Sequence, residues 1–273
     1  MIDARPLTIA DHVHGYPDIA FGGYVAGLLA AHSTTDLAAR STTDLPGHAT
    51  IARADHSSTD HDPAAGIPAM RVDFRRAVSV GAPLLLQTTG DGRAVLADAG
   101  GMLLVEAAAS SLAVTPRPAP SWDDAKTATE AALTSPKRVV TDCYGCGVLC
   151  EPGRGLRLFP WSTPDGTLMA AAWTPDAALA DENGEVTTAN VWSALDCPGG
   201  IAAWVFSKMG QGAFTAALTA TQVRPVLAGA DYISHAWSIG QDGRKHTVGV
   251  ALSTADGELC ALAEALWIEP RTA

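Results

Sequence analysis

One pattern occurs twice, in the same order, in this chain. A Gly-Gly pair opens an apolar stretch at Phe21-Gly22-Gly23-Tyr24-Val25, and again at Pro198-Gly199-Gly200-Ile201-Ala202. Each pair is followed by a strand led by Arg-x-Val-x-x-Gly, at Arg76 to Gly81 and at Arg224 to Gly229, and then by a hairpin with Asp-Gly-Arg at its tip, at Asp91 to Arg93 and at Asp242 to Arg244. Three ordered matches point to two copies of one small fold packed as a pseudo-dimer. Gly23 and Arg76 are 53 positions apart and Gly200 and Arg224 only 24, so the first copy carries an insertion of about 29 residues.

The residues after Gly22 are small or apolar on every face, as in a helix enclosed on most sides. From Ser33 to about Ala69 the chain turns polar and repeats Ser-Thr-Thr-Asp-Leu, which reads as a loop or lid. Residues 70–75, 83–88, 94–99 and 102–109 alternate or run apolar around an Asp-Gly hairpin and form an antiparallel meander. A Pro-rich segment then gives way to a short Ala/Glu/Lys stretch. Strands are expected at 155–159 and 168–173, a helix from Gly199, and further strands at about 216–225, 230–239, 246–254 and 258–269. The organisation is therefore a first repeat over 1–118 with a polar insertion at about 33–69, a linker over 119–136, and a second repeat over 137–273. In each repeat an antiparallel sheet wraps around a central helix, an α+β architecture in which the two sheets join edge to edge.

Composition limits the partners. With 47% hydrophobic residues the chain has ample core material, and a net charge of −11 lacks the basic excess that binds nucleic acid. No apolar run approaches the ~20 residues needed to span a bilayer, and the N-terminus lacks a signal-peptide stretch, so a cytoplasmic protein is expected. Three of the five cysteines crowd into Cys143, Cys146 and Cys150. A structural zinc would require another Cys or a His brought in by the fold, so the reading taken is a Gly-rich turn with reduced thiols and no metal. No cofactor is expected.

Cys143-Tyr144-Gly145-Cys146-Gly147, Gly155-Leu156-Arg157-Leu158 and Asp196-Cys197-Pro198-Gly199-Gly200 resemble, in content and order, the hotdog-fold acyl-CoA thioesterase and dehydratase superfamily. The doubled pattern is similar to its tandem, double hotdog form. The resemblance implies binding of an acyl thioester, on CoA or a carrier protein, and its hydrolysis. It also implies further association into homo-oligomers. A helix N-terminal amide can polarise the thioester carbonyl without a side chain, which makes Gly23 and Gly200 candidate donors, with Gly22 and Gly199 shaping the approach. Glycines that simply admit close helix–sheet packing are the competing reading.

The sequence departs from the superfamily where its usual helix carboxylate would stand: Ala30 and Ala31 occupy the first copy, Ser207 and Lys208 the second. Asp196, four residues before Gly200, and Asp18, five before Gly23, become the candidate bases, or are turn and N-cap residues. His32 is a further catalytic candidate. Tyr16, Tyr24 and Cys197 adjoin the Gly-Gly pairs as candidate substrate contacts, Cys197 also as a thiolate at a helix N-terminus. Arg76 and Arg224 are positioned to meet CoA phosphates or to close strand ends. Two other functions remain open: an enoyl-thioester hydratase or dehydratase, faintly suggested by Asp11-His12-Val13-His14, and a non-catalytic acyl-thioester-binding protein.

Overall fold

The computed structural model describes residues 4–43, 67–137 and 141–271. Strands β1 (Ala4–Leu7), β2 (His14–Tyr16) and β3 (Ile19–Ala20) lead into helix α1 (Gly22–Thr43). Strands β4 (Ile67–Phe74), β5 (Leu84–Thr88), β6 (Ala94–Asp98) and β7 (Leu103–Leu112) follow, then helix α2 (Trp122–Thr134). The remainder gives β8 (Trp161–Ser162), β9 (Met169–Trp173), helices α3 (Thr188–Ser193) and α4 (Cys197–Phe206), and strands β10 (Phe214–Gln222), β11 (Tyr232–Asp242), β12 (Lys245–Thr254) and β13 (Leu259–Ile268).

Eleven strands form one antiparallel sheet in the order β1-β5-β6-β7-β4-β10-β13-β12-β11-β9-β8, beside a small β2-β3 ribbon. The order within β4-β7-β6-β5 matches that within β10-β13-β12-β11. The two runs meet where β4 pairs with β10, from Ala217 opposite Asp73 to Ala220 opposite Met70. The sheet edges are thus joined by backbone hydrogen bonds, giving one continuous sheet. The main hydrophobic core runs through both halves, holding Val25, Leu29, Leu96 and Val105 together with Leu195, Ala202, Val248 and Val250.

The repeated motifs fall at matching places. After β4, the amides of Arg75 and Arg76 both donate to the Leu104 carbonyl; after β10, those of Val223 and Arg224 both donate to the Cys260 carbonyl. Gly81 and Gly229 each adopt a positive φ, at 68° and 78°, closing the turn that follows. Arg-x-Val-x-x-Gly therefore marks a strand's exit, where a strand had been expected.

Two further expectations are corrected. Helix α1 continues through Ser33 to Thr43, where polar composition reads as loop; Ser33 is buried and its hydroxyl donates to the Leu29 carbonyl one turn earlier. The rest of the polar insertion, 44–66, lies outside the described residues. Gly155 to Phe159 forms no strand: Arg157 takes a φ of 53°, and the amides of Leu156 and Leu158 donate instead to the carbonyls of Tyr144 and Gly145. The segment 119–136 contains α2, capped by the Ser121 hydroxyl on the Asp124 amide, with Ala125, Ala128 and Ala132 buried. Alanines along one face let this helix lie close on β9. Among the described residues no helix is long and apolar enough to cross a membrane.

Two glycines explain how α1 meets α3. A Cβ at Gly23 would sit 2.7 Å from the Ser193 Cα, and one at Gly27 2.5 Å from the Ala189 Cα. Four residues apart, they make a flat strip against which α3 lies backbone to backbone. That approach brings the turn after α3, and Asp196 within it, onto the first turn of α1.

Candidate active site

Asp196 is 1% exposed, in the turn between α3 and α4. Its side chain makes no cap bond to α4, the helix it precedes. Instead it crosses to the other half: Oδ2 accepts the Gly23 amide at 2.7 Å, and Oδ1 accepts the Thr215 hydroxyl at 2.7 Å. The carboxylate thereby caps α1, where amides lack intrahelical partners and the helix dipole favours negative charge. Thr215 reaches it from β10 at a bulge, since Thr215 lies opposite Trp267 and Ala217 opposite Leu266, leaving Ala216 as the extra residue. Burial pushes the Asp196 carboxyl up to about 6, against the pull of Thr215 and Gly23, which stabilise its charged form.

Asp196 lies on the wall of a cavity of about 690 Å³. Phe21, Phe74, Trp161, Ile201, Trp204 and Trp267 supply much of its apolar lining, while Arg75, Arg76 and Lys137 bring positive charge to exposed positions on it. Arg75 is paired with Glu106, its Nε 2.8 Å from Oε1. Arg76 donates to the Leu103 carbonyl and has no ion pair among the described residues. Arg224, its sequence counterpart, instead pairs with Glu258 at 3.2 Å and is not part of the lining.

The other sequence candidates separate into two groups. Gly22, Gly200, Cys197 and Tyr16 line the same cavity as Asp196, and the Tyr16 hydroxyl is held by the Ala213 carbonyl at 2.7 Å. Gly23 stands behind them with its amide already engaged by Asp196. The Gly200 amide donates to its own turn, at the Asp196 carbonyl, 3.2 Å away. A Cβ at Gly199 would press on Val248 and Val250, and one at Gly200 on the Trp267 ring, so this pair also serves close packing of helix on sheet. Asp18, His32, Tyr24 and Gly199 are not lining residues. Asp18 is exposed at the β2–β3 turn with a φ of 62°, His32 meets the Thr88 hydroxyl at 3.1 Å, and Tyr24 packs edge-on against Tyr144.

Sequence reasoning missed Thr215 and the partners of Cys197. The sulfur of Cys197 lies 3.8 Å from that of Cys143 and 3.5 Å from that of Cys146, all three buried. Contact with these two thiols, then burial, pushes the Cys197 thiol well up, which disfavours a free thiolate. Neither Thr215 nor this clustering carries a local signal, since each depends on segments far apart in the chain.

No protein-family model matches the sequence, and a search of curated proteins gives no significant match. Solved structures do match over nearly the whole chain. The TesB protein of Mycobacterium avium subspecies paratuberculosis superposes with a TM-score of 0.58 at 13% identity, covering 94% of this chain and 91% of its own. The acyl-CoA thioesterase II TesB2 of Mycobacterium marinum gives 0.55 at 13%, covering 99% and 94%. A hot dog fold protein of Alicyclobacillus acidocaldarius gives 0.51 at 11%, covering 99% and 94%. These likenesses establish the hotdog fold for this chain, of the kind found in TesB-like thioesterases.

Proposed function

We propose that this chain is a double hotdog acyl-thioester hydrolase with one working site, at the N-terminus of α1. Residues 1–118 and 137–273 form its two units, each with a helix against its share of the sheet. The observation that carries the reading is the buried Asp196 carboxylate, fixed by the Gly23 amide and the Thr215 hydroxyl on the wall of a large apolar cavity. A carboxylate anchored through both oxygens keeps lone pairs for a water molecule on its cavity side.

In the reaction, Asp196 takes a proton from that water as its oxygen attacks the thioester carbonyl. The developing oxyanion is met by the first turn of α1, at the Gly22 amide, with the helix dipole behind it. Collapse of the intermediate breaks the C–S bond, and the proton passes from Asp196 to the departing thiolate. The acyl chain lies among Phe74, Trp161, Ile201 and Trp204. Arg76 and Lys137 meet the phosphates of a CoA or of a carrier protein's phosphopantetheine. The names of the structural neighbours support the same chemistry.

Incubating the protein with acyl-CoAs of graded chain length while titrating released thiol tests the proposal. Thiol release that saturates with substrate supports it. Tight binding with no release, or a change in enoyl absorbance in place of release, would replace it by an acyl-binding or a hydratase function.

A further inference from the structure

The three clustered cysteines come from two distant segments. Cys143 and Cys146 belong to the Cys-x-x-Cys-Gly turn, whose shape requires Gly147: its amide donates to the Cys143 carbonyl, and a Cβ there would lie 2.4 Å from the Cys143 nitrogen. Cys197 opens α4. All three sulfurs lie within 4.8 Å of one another.

Three packed thiols have three physical explanations. As hydrophobic filling they belong to the buried core, but filling alone does not require a Gly-tightened turn that brings two sulfurs to a third. As a disulfide in waiting they form a triangle in which Cys197 is nearly equidistant from two partners, and one thiol is always left over. As ligands they have the right shape. Zinc–sulfur bonds of ~2.3 Å at tetrahedral angles put neighbouring sulfurs ~3.8 Å apart, against 3.8 and 3.5 Å here. Cys-x-x-Cys is also the ligand spacing that a zinc-binding turn supplies.

We propose that Cys143, Cys146 and Cys197 bind a thiophilic d10 cation, zinc, through three thiolates, with the fourth position open toward the cavity that all three residues line. Binding exchanges the thiol protons for the metal, so up to three protons leave for each zinc taken up. The metal ties the turn at 143–147 to the start of α4. It thereby fixes the turn carrying Asp196, the residue immediately before Cys197. The site is independent of the hydrolase reading, because no step of that reaction passes through it.

The test measures metal directly. Full-length protein, purified under reducing conditions with zinc in the growth medium, is dialysed and assayed for metal by elemental analysis, and a second sample is loaded with cobalt(II). The expected result is about one zinc per chain and an intense sulfur-to-cobalt charge-transfer band. Cys143→Ser, Cys146→Ser and Cys197→Ser should each lose most of the zinc, while Cys150→Ser, just beyond the turn and outside the cluster, keeps it. Absence of both zinc and the cobalt band in the wild-type protein overturns the site, as does retention of zinc in all three Ser variants. Isolation of a Cys143–Cys197 or Cys146–Cys197 disulfide under those conditions also overturns it. If a Ser variant fails to fold, the cobalt spectrum of the wild-type protein decides alone.

Discussion

Replacing Asp196 by Asn and by Ala separates its chemical part from its structural part. Asn has the same shape and can keep both contacts: its amide oxygen accepts the Gly23 amide while its NH2 donates to the Thr215 oxygen, whose hydroxyl rotates to accept. The loss in stability is then the difference between charge-assisted and neutral hydrogen bonds, about 1 kcal/mol. Ala removes both acceptors and leaves a buried amide and a hydroxyl unpaired at about 1–3 kcal/mol each, so about 2–6 kcal/mol in total. Both variants lack the base, so both should lose about 100- to 10,000-fold in kcat. Only the Ala variant should also lower the urea midpoint substantially. The assay pairs thiol release from a saturating acyl-CoA with urea unfolding followed by tryptophan fluorescence. An Asp196→Asn protein that folds normally and retains more than about a tenth of wild-type kcat, against the factor expected for a lost general base, would refute Asp196 as the base and leave it as a helix cap.

Gly23→Ala forces a methyl group against the backbone of Ser193 and Trp192 and should destabilise by about 2–4 kcal/mol, read from the same unfolding curves, because overpacking outweighs the gain in helix propensity. Arg76→Ala should raise KM for acyl-CoA about 5- to 30-fold through the lost phosphate contact, yet leave KM for the matching acyl-N-acetylcysteamine, which has no phosphates, unchanged. Burial holds the ring of His235 below the ordinary histidine range, with Nε2 3.0 Å from the Arg117 carbonyl. The unfolded chain therefore takes up a proton below about pH 6.5 that the folded chain refuses, and stability falls with pH by up to ~1.4 kcal/mol per unit. Urea midpoints between pH 7.5 and 5.5 should show this slope reduced in His235→Gln; an equal slope would refute it.

The duplicated motif was legible because it marks backbone requirements: a strand exit after β4 and β10, and positive φ at Gly81 and Gly229. The meander was legible from alternation. The extent of α1 was not, because Ser33 signals loop chemistry while its hydroxyl can bond back to Leu29 and remain helical. Arg157 likewise hides a left-handed residue inside an apolar run. At the site, Asp196 stood out by its place before a helix, but its role as a cap pointed to the wrong helix. Local spacing describes only the amides nearest in sequence, whereas here the orphan amide that needs the carboxylate belongs to α1, 173 positions away. Thr215 carries no signal at all, since its importance arises from a bulge that exists only when β10 pairs with β13.

In the proposed function, this cross-connection gives two similar halves one site. Each half places Gly-Gly in the first turn of a helix, α1 beginning at Gly22 and α4 at Cys197. The second half supplies Asp196 to α1. Ile19 stands at the equivalent position in the first half, four residues before Gly23, and cannot return the contact. The neighbouring Asp18 faces solvent on its turn. At α4 the Gly200 amide bonds back to the carbonyl of Asp196, and the Trp267 ring lies close against the glycine. A single change of Ile19 to Asp therefore cannot create a second site, because the Gly200 amide is already engaged by the Asp196 carbonyl; half-buried on the cavity wall, the new carboxylate should lower stability and add no thiol-releasing activity. Comparing Ile19→Asp with the wild-type protein for thiol release and urea midpoint checks this, and a rise in kcat with undiminished stability would mean that the second helix start is open after all.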